Sequence, residues 1–416
     1  MKKRYLFTLV LIFLLTFNAM AGAVTLNFLE VMTSPERTNL LKEMIAEFEA
    51  ANPNIEINLI SPPYEQADQK ATMMLNTNQK LDVVEVRDYT LKQFVNNDKL
   101  LDLTDYYANW EGDSTLSDVA VTASRFVEDT PYIVPQSIFI KALFVRDDIL
   151  AEHGINYAPK TFSELIEISR QITDPKNNQY AFAWRGKGSE HKFSDLFASA
   201  YVKEIKDSNF IYSEDKTFFT DENYKLGMEA YIDLFEKGVP NDGINWGFNE
   251  QINGFVSGVT PFLIQDPDAV PLIDKMLGPD KYSVVPVPVG PHGYSYLDFG
   301  FIGLGIPSYS EHKDEAWKFM SWMLSAEKNG YFNQNYGALP VHTSTFEENE
   351  YFQGPHYQAY NFEMNNTDKF IFKEYPLASE KWPGWSQIHE SDMQSLLLGN
   401  KELDQVLEDW DAYWTE

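Results

Sequence analysis

The sequence contains no cysteine. Disulfides, thiolate metal sites, a cysteine nucleophile and an acylated N-terminal cysteine are thereby excluded. Positive charge is also scarce: 33 Lys and Arg stand against 62 Asp and Glu, a formal net charge of −29. The mean field of such a chain repels polyanions, so nucleic acid and an anionic membrane surface are poor partners, although a local arginine can still hold an anionic ligand. The 7 histidines are scattered, and none lies four residues from another as a helical metal pair would. A phosphate loop, a G-x-S-x-G nucleophile turn and a dinucleotide glycine fingerprint are all missing. Gly186-Lys187-Gly188-Ser189 lacks phosphate-loop spacing and reads as a surface turn. These gaps weigh toward a binding protein and away from an enzyme, with no metal or cofactor expected. With so many acids, a glycosidase pair of carboxylates can be neither seen nor dismissed by counting.

Long apolar runs are confined to the N-terminus. Lys2, Lys3 and Arg4 precede an apolar stretch from Tyr5 to Phe17, and Ala19-Met20-Ala21 follows as a small-x-small site. The stretch is short for a membrane span, and the pattern is that of a cleaved secretory signal over residues 1–21. Its removal leaves a still more acidic chain, expected to be exported to the periplasm and, having no cysteine to acylate, not to be a lipoprotein.

What remains has a globular balance, 44% apolar and 15% aromatic. Thr25 to Leu29 alternates as a strand, and Ser34-Pro35 opens a helix whose face is Leu41, Met44, Ile45 and Phe48. Asn52-Pro53 ends it, Ile55 to Leu59 alternates again, a polar helix spans about Glu65 to Asn76, and Leu81 to Val86 forms a third strand. This β-α-β-α-β order predicts an α/β fold with a mostly parallel sheet. A second unit begins at the strand Ala142 to Val145, continues through a capping box at Thr161 to Glu164 and a strand at Tyr180 to Trp184, and ends in the strand Pro261 to Ile264. Two such units suggest two lobes. Ligands of these sheets bind beyond the carboxyl ends of the strands, and Glu30, Tyr64 and Asp88 each follow one of the first three strands. Trp246 sits in the loop Asn245-Trp246-Gly247, where a ring has no regular element to pack into, and is read as facing the cleft. Trp317, Phe319 and Trp322 lie at helical spacing and read as core.

Several segments carry a resemblance, in order along nearly the whole chain. They are Tyr132-Ile133-Val134-Pro135, the run Ala142 to Leu150, Gly154-Ile155 and Pro159-Lys160-Thr161-Phe162-Ser163-Glu164-Leu165. Phe48 to Ile55, Phe255-Val256-Ser257-Gly258, Val287 to Pro291 and Gly337-Ala338-Leu339-Pro340 agree with them. Together they resemble family 1 extracellular solute-binding proteins, the maltose-binding-protein-like receptors of ABC sugar importers. The resemblance implies a periplasmic-binding-protein-like fold of two lobes with a hinge between them, each lobe a mostly parallel sheet flanked by helices. Residues 24–138 and 286–342 would form the N-terminal lobe, and 139–285 with 343–416 the C-terminal one. It implies a monomeric receptor that captures a sugar, from mono- to oligosaccharide, and presents it to a membrane permease.

By matching position, the resemblance offers Tyr64, Asp88 and the adjacent Tyr89 as ligand contacts, and Trp184 and Trp385 as stacking rings, with Trp382 an open alternative to Trp385. Gly300 matches a glycine that lets backbone approach the ligand; its usual partner is replaced by Phe299, which would narrow the cleft. Gln265-Asp266-Pro267-Asp268 stands where maltose-type members have an aromatic, which argues against a long maltodextrin and brings Asp266 into the candidate set. Two alternatives stay open. One is a receptor for a glycerol-phosphate-type or other polar solute, for which Arg87 and Arg185 would be the nearest cations; the other is a secreted carbohydrate-active hydrolase.

Overall fold

The computed structural model describes residues 23–188, 190–205, 211–213, 216–377, 379 and 381–415. The secretory signal expected over residues 1–21 lies outside them. In chain order the strands are β1 (Val24–Leu29), β2 (Ile55–Ile60), β3 (Val83–Arg87), β4 (Val134–Phe139), β5 (Ala142–Val145), β6 (Tyr212–Ser213), β7 (Lys216–Thr217), β8 (Phe262–Gln265), β9 (Ser283–Val285), β10 (Ser295–Asp298), β11 (Gly300–Gly305) and β12 (Phe370–Lys373). The helices that matter to the site are α1 (Pro35–Ala51), α2 (Tyr64–Asn76), α3 (Asp88–Asn96), α4 (His191–Ser199), α5 (Phe248–Val256), α6 (Ala269–Leu277) and α7 (Trp382–Leu397).

The local sequence accounts for the first elements. The Ser34 side chain accepts the Arg37 N–H and Pro35 occupies the first turn, so α1 starts there. Its stripe Leu41, Met44, Ile45 and Phe48 is buried. β1 pairs in parallel with β2 and β3, while β11 joins antiparallel to β3 and β4, giving a five-stranded sheet of order β2-β1-β3-β11-β4.

The second sheet has the order β8-β5-β9 and is antiparallel throughout its named pairings, a departure from the parallel sheet predicted for this half. The direction of entry explains it. β5 arrives from the first sheet through Ile140 and Lys141, so it begins at the cleft, with Ala142 opposite Gln265. β8 and β9 end there, so they must run against it. Tyr180 to Trp184, predicted as a strand, is not one: the chain bends at Ala181 and makes one parallel bridge, Phe182 to Phe262.

The two-residue period of β5 sends Leu143 and Val145 into one core and Ala142 and Phe144 into another. The latter core is continuous with the one beneath the five-stranded sheet. The former holds Trp184, Tyr231, Trp385 and Trp410. β10 pairs with β12, and its Tyr296 and Leu297 belong to that second core, whereas β11 begins two residues later in the first sheet. Two chain segments, Phe139–Ala142 and Asp298–Gly300, thus run side by side between the sheets. The architecture is two-lobed, with a cleft at these crossings.

Candidate functional site

The cleft holds a cavity of about 1120 Å³. One wall comes from the first sheet: Tyr64 and Asp68 from α2, Arg87 at the end of β3, Asp88 and Tyr89 at the start of α3, and Gly300 and Phe301 from β11. The facing wall comes from the second: Arg185 in the loop before α4, His191 and Lys192 in the first turn of α4, Phe248 of α5, Asp266 after β8, and Trp382 of α7. Helices follow strands at the cleft, so side chains from strand ends and first helical turns converge on it.

Arg87 organises the first wall. Its guanidinium lies 4.7 Å from the Tyr64 ring centre and 5.7 Å from that of Tyr89. It donates to the two phenol oxygens at 3.3 and 2.6 Å and to the Val31 carbonyl at 2.6 Å. The Tyr89 hydroxyl donates in turn to Asp68 at 2.7 Å. Both rings are therefore held in place while 48% of Tyr64 and 37% of Tyr89 stay exposed to the cavity or solvent. A flat apolar surface bordered by fixed polar groups results.

The carboxylates of the cavity differ in their surroundings. Burial pushes the Asp88 carboxyl up against the pull of Lys192. Burial and the neighbouring Asp266 push Asp268 to about 7, and its Oδ1 is buried with no hydrogen-bond partner among the described residues. Burial would also raise Asp298, but Lys141 at 3.1 Å and Lys192 at 3.0 Å outweigh it and hold the group well below the usual carboxylate range. Burial keeps the His191 imidazole neutral, aided by His389 and Lys192.

Tyr64, Asp88, Tyr89, Asp266 and Gly300 thus stand together on the cavity, and of the two alternatives Trp382 lines it. Four other candidates do not. Trp184 is fully buried and stacked on Tyr231 at 4.1 Å, with Phe235 at 5.0 Å across its edge, so neither face is free. Trp385 is fully buried among Tyr413, Trp410 and His389. Glu30 is turned inward by a long-range partner: it pairs with the buried Arg37 at 3.2 Å, which also binds Glu85, and accepts from Thr38 at 2.7 Å. Trp246 is half-buried and covers Gly254, where a Cβ would meet the ring at 2.6 Å; its Nε1 donates to Asp242 at 3.2 Å. Phe299 packs against Phe301 and Phe372 and does not narrow the cavity.

Sequence reasoning missed Asp68, Lys192 and Phe248 as wall residues. Asp68 lies four residues after Tyr64, on the same helical face, and could have been found by that spacing. Among the described residues no group of three or more side chains could hold a metal ion, and no helix is long and apolar enough to cross a membrane.

Comparison with known proteins places the chain. A family model described as bacterial extracellular solute-binding protein matches residues 34–330. A Brucella abortus protein named only as a binding protein is 25% identical over 405 residues, 94% of this chain and 92% of the relative. An Escherichia coli protein named as an ABC transporter periplasmic-binding protein, YcjN, is 23% identical over 341 residues, 79% of this chain and 76% of the relative. Among solved structures, the sugar-binding protein MalE of Xanthomonas citri shares the fold with a TM-score of 0.79 at 20% identity, covering 94% of this chain and 96% of that one. The chain belongs to the bacterial extracellular solute-binding protein family.

Proposed function

We propose that this protein is the periplasmic receptor of an ABC importer, capturing a carbohydrate in the interlobe cavity and delivering it as a monomer to the membrane permease. One observation carries the reading. The two walls of a single cavity combine rings, the exposed Tyr64 and Tyr89 and the half-buried Trp382, with carboxylates and cations, Asp68, Asp88, Arg185 and Asp266. A sugar needs flat apolar surfaces for its C–H faces and polar partners for every hydroxyl that it buries. The names of the Xanthomonas and Escherichia relatives point the same way.

In this reading the lobes part at Phe139–Ala142 and at Asp298–Gly300, later than residue 286, because β10 pairs with β12 of the C-terminal half. Ligand contact at Tyr64, Asp88, Tyr89, Asp266, Gly300 and Trp382 belongs to the same proposal. A hydrolytic activity finds little support. Ser194 Oγ lies 3.5 Å from His389 Nε2, and His389 Nδ1 lies 2.8 Å from Glu190, a serine–histidine–carboxylate order. All three are at most 2% exposed, so no substrate reaches the hydroxyl.

The test is calorimetric titration of the mature chain with a panel of mono-, di- and oligosaccharides. Saturable one-site binding, weakened in Tyr64→Ala, is expected. Heats no larger than dilution across the panel would overturn the reading.

A further inference from the structure

We propose that Lys192 is an interlobe latch: its ammonium, held at the hinge by Asp298, pairs across the cleft with Asp88 of the opposite wall when the lobes close. The inference goes beyond the carbohydrate reading and holds whatever the ligand is.

The latch sits where the two crossing segments meet. Lys141 belongs to the first crossing and Asp298 to the second, and the two side chains pair at 3.1 Å, almost sealed from water. Lys192, in the first turn of α4, reaches the other carboxylate oxygen of Asp298 at 3.0 Å. One carboxylate thus ties the crossings to each other and to the wall of the C-terminal half. Lys192 also lines the main cavity, with 25% of its side chain exposed. An ammonium has three donors, so one pairing leaves donors for a second acceptor.

Asp88 supplies that acceptor from the facing wall. It opens α3 and lines the same cavity. Its Oδ1 accepts the Tyr89 N–H at 2.9 Å, and it forms no salt bridge among the described residues. Arg87 beside it is turned to Asp68 at 3.4 Å and to the Val31 carbonyl. Asp88 Oδ2 lies 3.8 Å from where a Cβ on Gly300 would stand, two residues after Asp298, so this carboxylate borders the second crossing. The two charges already act on each other. Burial raises the Asp88 carboxyl, and Lys192 pulls against it. Burial works against the Lys192 charge, and Asp298 and Asp88, with Asp266 behind them, outweigh it.

Only this pairing changes with closure. Two-lobed receptors of this class close by bending at a few residues. Asp298 sits at the crossing and Asp266 on the lysine's own wall, so their hold on Lys192 is the same open or closed. Arg185 is committed to the Lys187 and Gly188 carbonyls and to Gln251, and the acids around it, Asp266, Asp268, Glu390 and Glu250, all belong to its own half. Closure drives Asp88 toward Asp298, a like charge, and the ammonium between them turns that repulsion into a bridge.

The test reads lobe separation in the ligand-free mature chain. The protein has no cysteine, so spin labels on Gln66→Cys and Lys187→Cys, exposed positions on opposite lobes, report one distance by pulsed electron paramagnetic resonance. Lys192→Met and Asp88→Asn should each shift the distribution to longer distances, lowering the closed-to-open ratio about two- to five-fold. The double variant should shift no further than Lys192→Met alone. Lys192→Arg should match the parent, and added salt should move the parent toward the variants. Asp88→Asn keeps the side chain's shape and carries the test should Lys192→Met fail to fold. Distances unchanged or shortened in the single variants, or shifts that add in the double, would overturn the latch and leave the carbohydrate reading, which titration tests separately, standing.

Discussion

Trp184→Ala separates a core ring from a ligand platform. Trp184 is fully buried, stacked on Tyr231 at 4.1 Å and edged by Phe235 at 5.0 Å and Phe182 at 6.4 Å. Cutting it back to a methyl group leaves a void lined by those rings, and such truncations cost about 3–5 kcal/mol. That is a large part of the roughly 5–15 kcal/mol that holds a domain folded. For a lobe of this size, each kcal/mol shifts the melting temperature by about 2–4 °C, so a fall of about 6–20 °C is expected. Scanning calorimetry reads the fall, and titration well below the transition reads the affinity, which should match the unmodified protein. A variant that melts within about 2 °C of the parent yet binds its ligand more weakly would refute the assignment and return the ring to the cleft.

The converse substitution, Trp382→Ala, removes a half-buried cavity ring; it should weaken sugar binding by about 0.5–1.5 kcal/mol with a much smaller change in melting, checked by the same two measurements. Asp298→Asn strips the counter-charge from two ammonium groups, Lys141 and Lys192, of which the first is nearly sealed from water, and should destabilise by about 3–5 kcal/mol in urea unfolding at pH 7. Because the Asp298 carboxyl is depressed in the folded state, its contribution is present above the unfolded pKa of about 4 and is lost as pH falls below it, so parent and variant should converge in acid. Asp268 shifts the other way: its folded value of about 7 lies above the unfolded one, so ionisation costs stability as pH rises from about 4 to about 7. Asp268→Asn should therefore gain melting temperature over the parent at pH 8 and lose that gain at pH 4, and an equal difference at both would count against the assignment.

The first sheet was legible because its strands and helices carry clean periods and caps, Ser34-Pro35 and the Leu41 to Phe48 stripe among them. Strand-end logic led to Tyr64 and Asp88 because in such sheets the chain leaves each strand at the cleft. The same logic failed at Glu30, whose direction is set by Arg37 and Glu85, partners that no local pattern announces. Tryptophan residues were the least legible. Trp184 ends a segment that reads as a strand and Trp385 shares a short motif with Trp382, yet only the last faces the cavity, because ring placement depends on Tyr231, Trp410 and Tyr413 from other helices. Lys141, Lys192 and Asp298 were invisible for a similar reason: they lie up to 157 residues apart and meet only where the crossing segments pass each other. The antiparallel second sheet was missed because strand direction follows from where β5 enters, which alternation does not encode.

The most direct test is a crystal structure of the protein with the tightest carbohydrate ligand found by titration. The account predicts that ligand between the two sheets, one face on Tyr64 or Trp382 and its hydroxyls within hydrogen-bond distance of Asp88 and Asp266. A ligand bound outside this cavity, with those four side chains arranged as they are without it, would contradict the account.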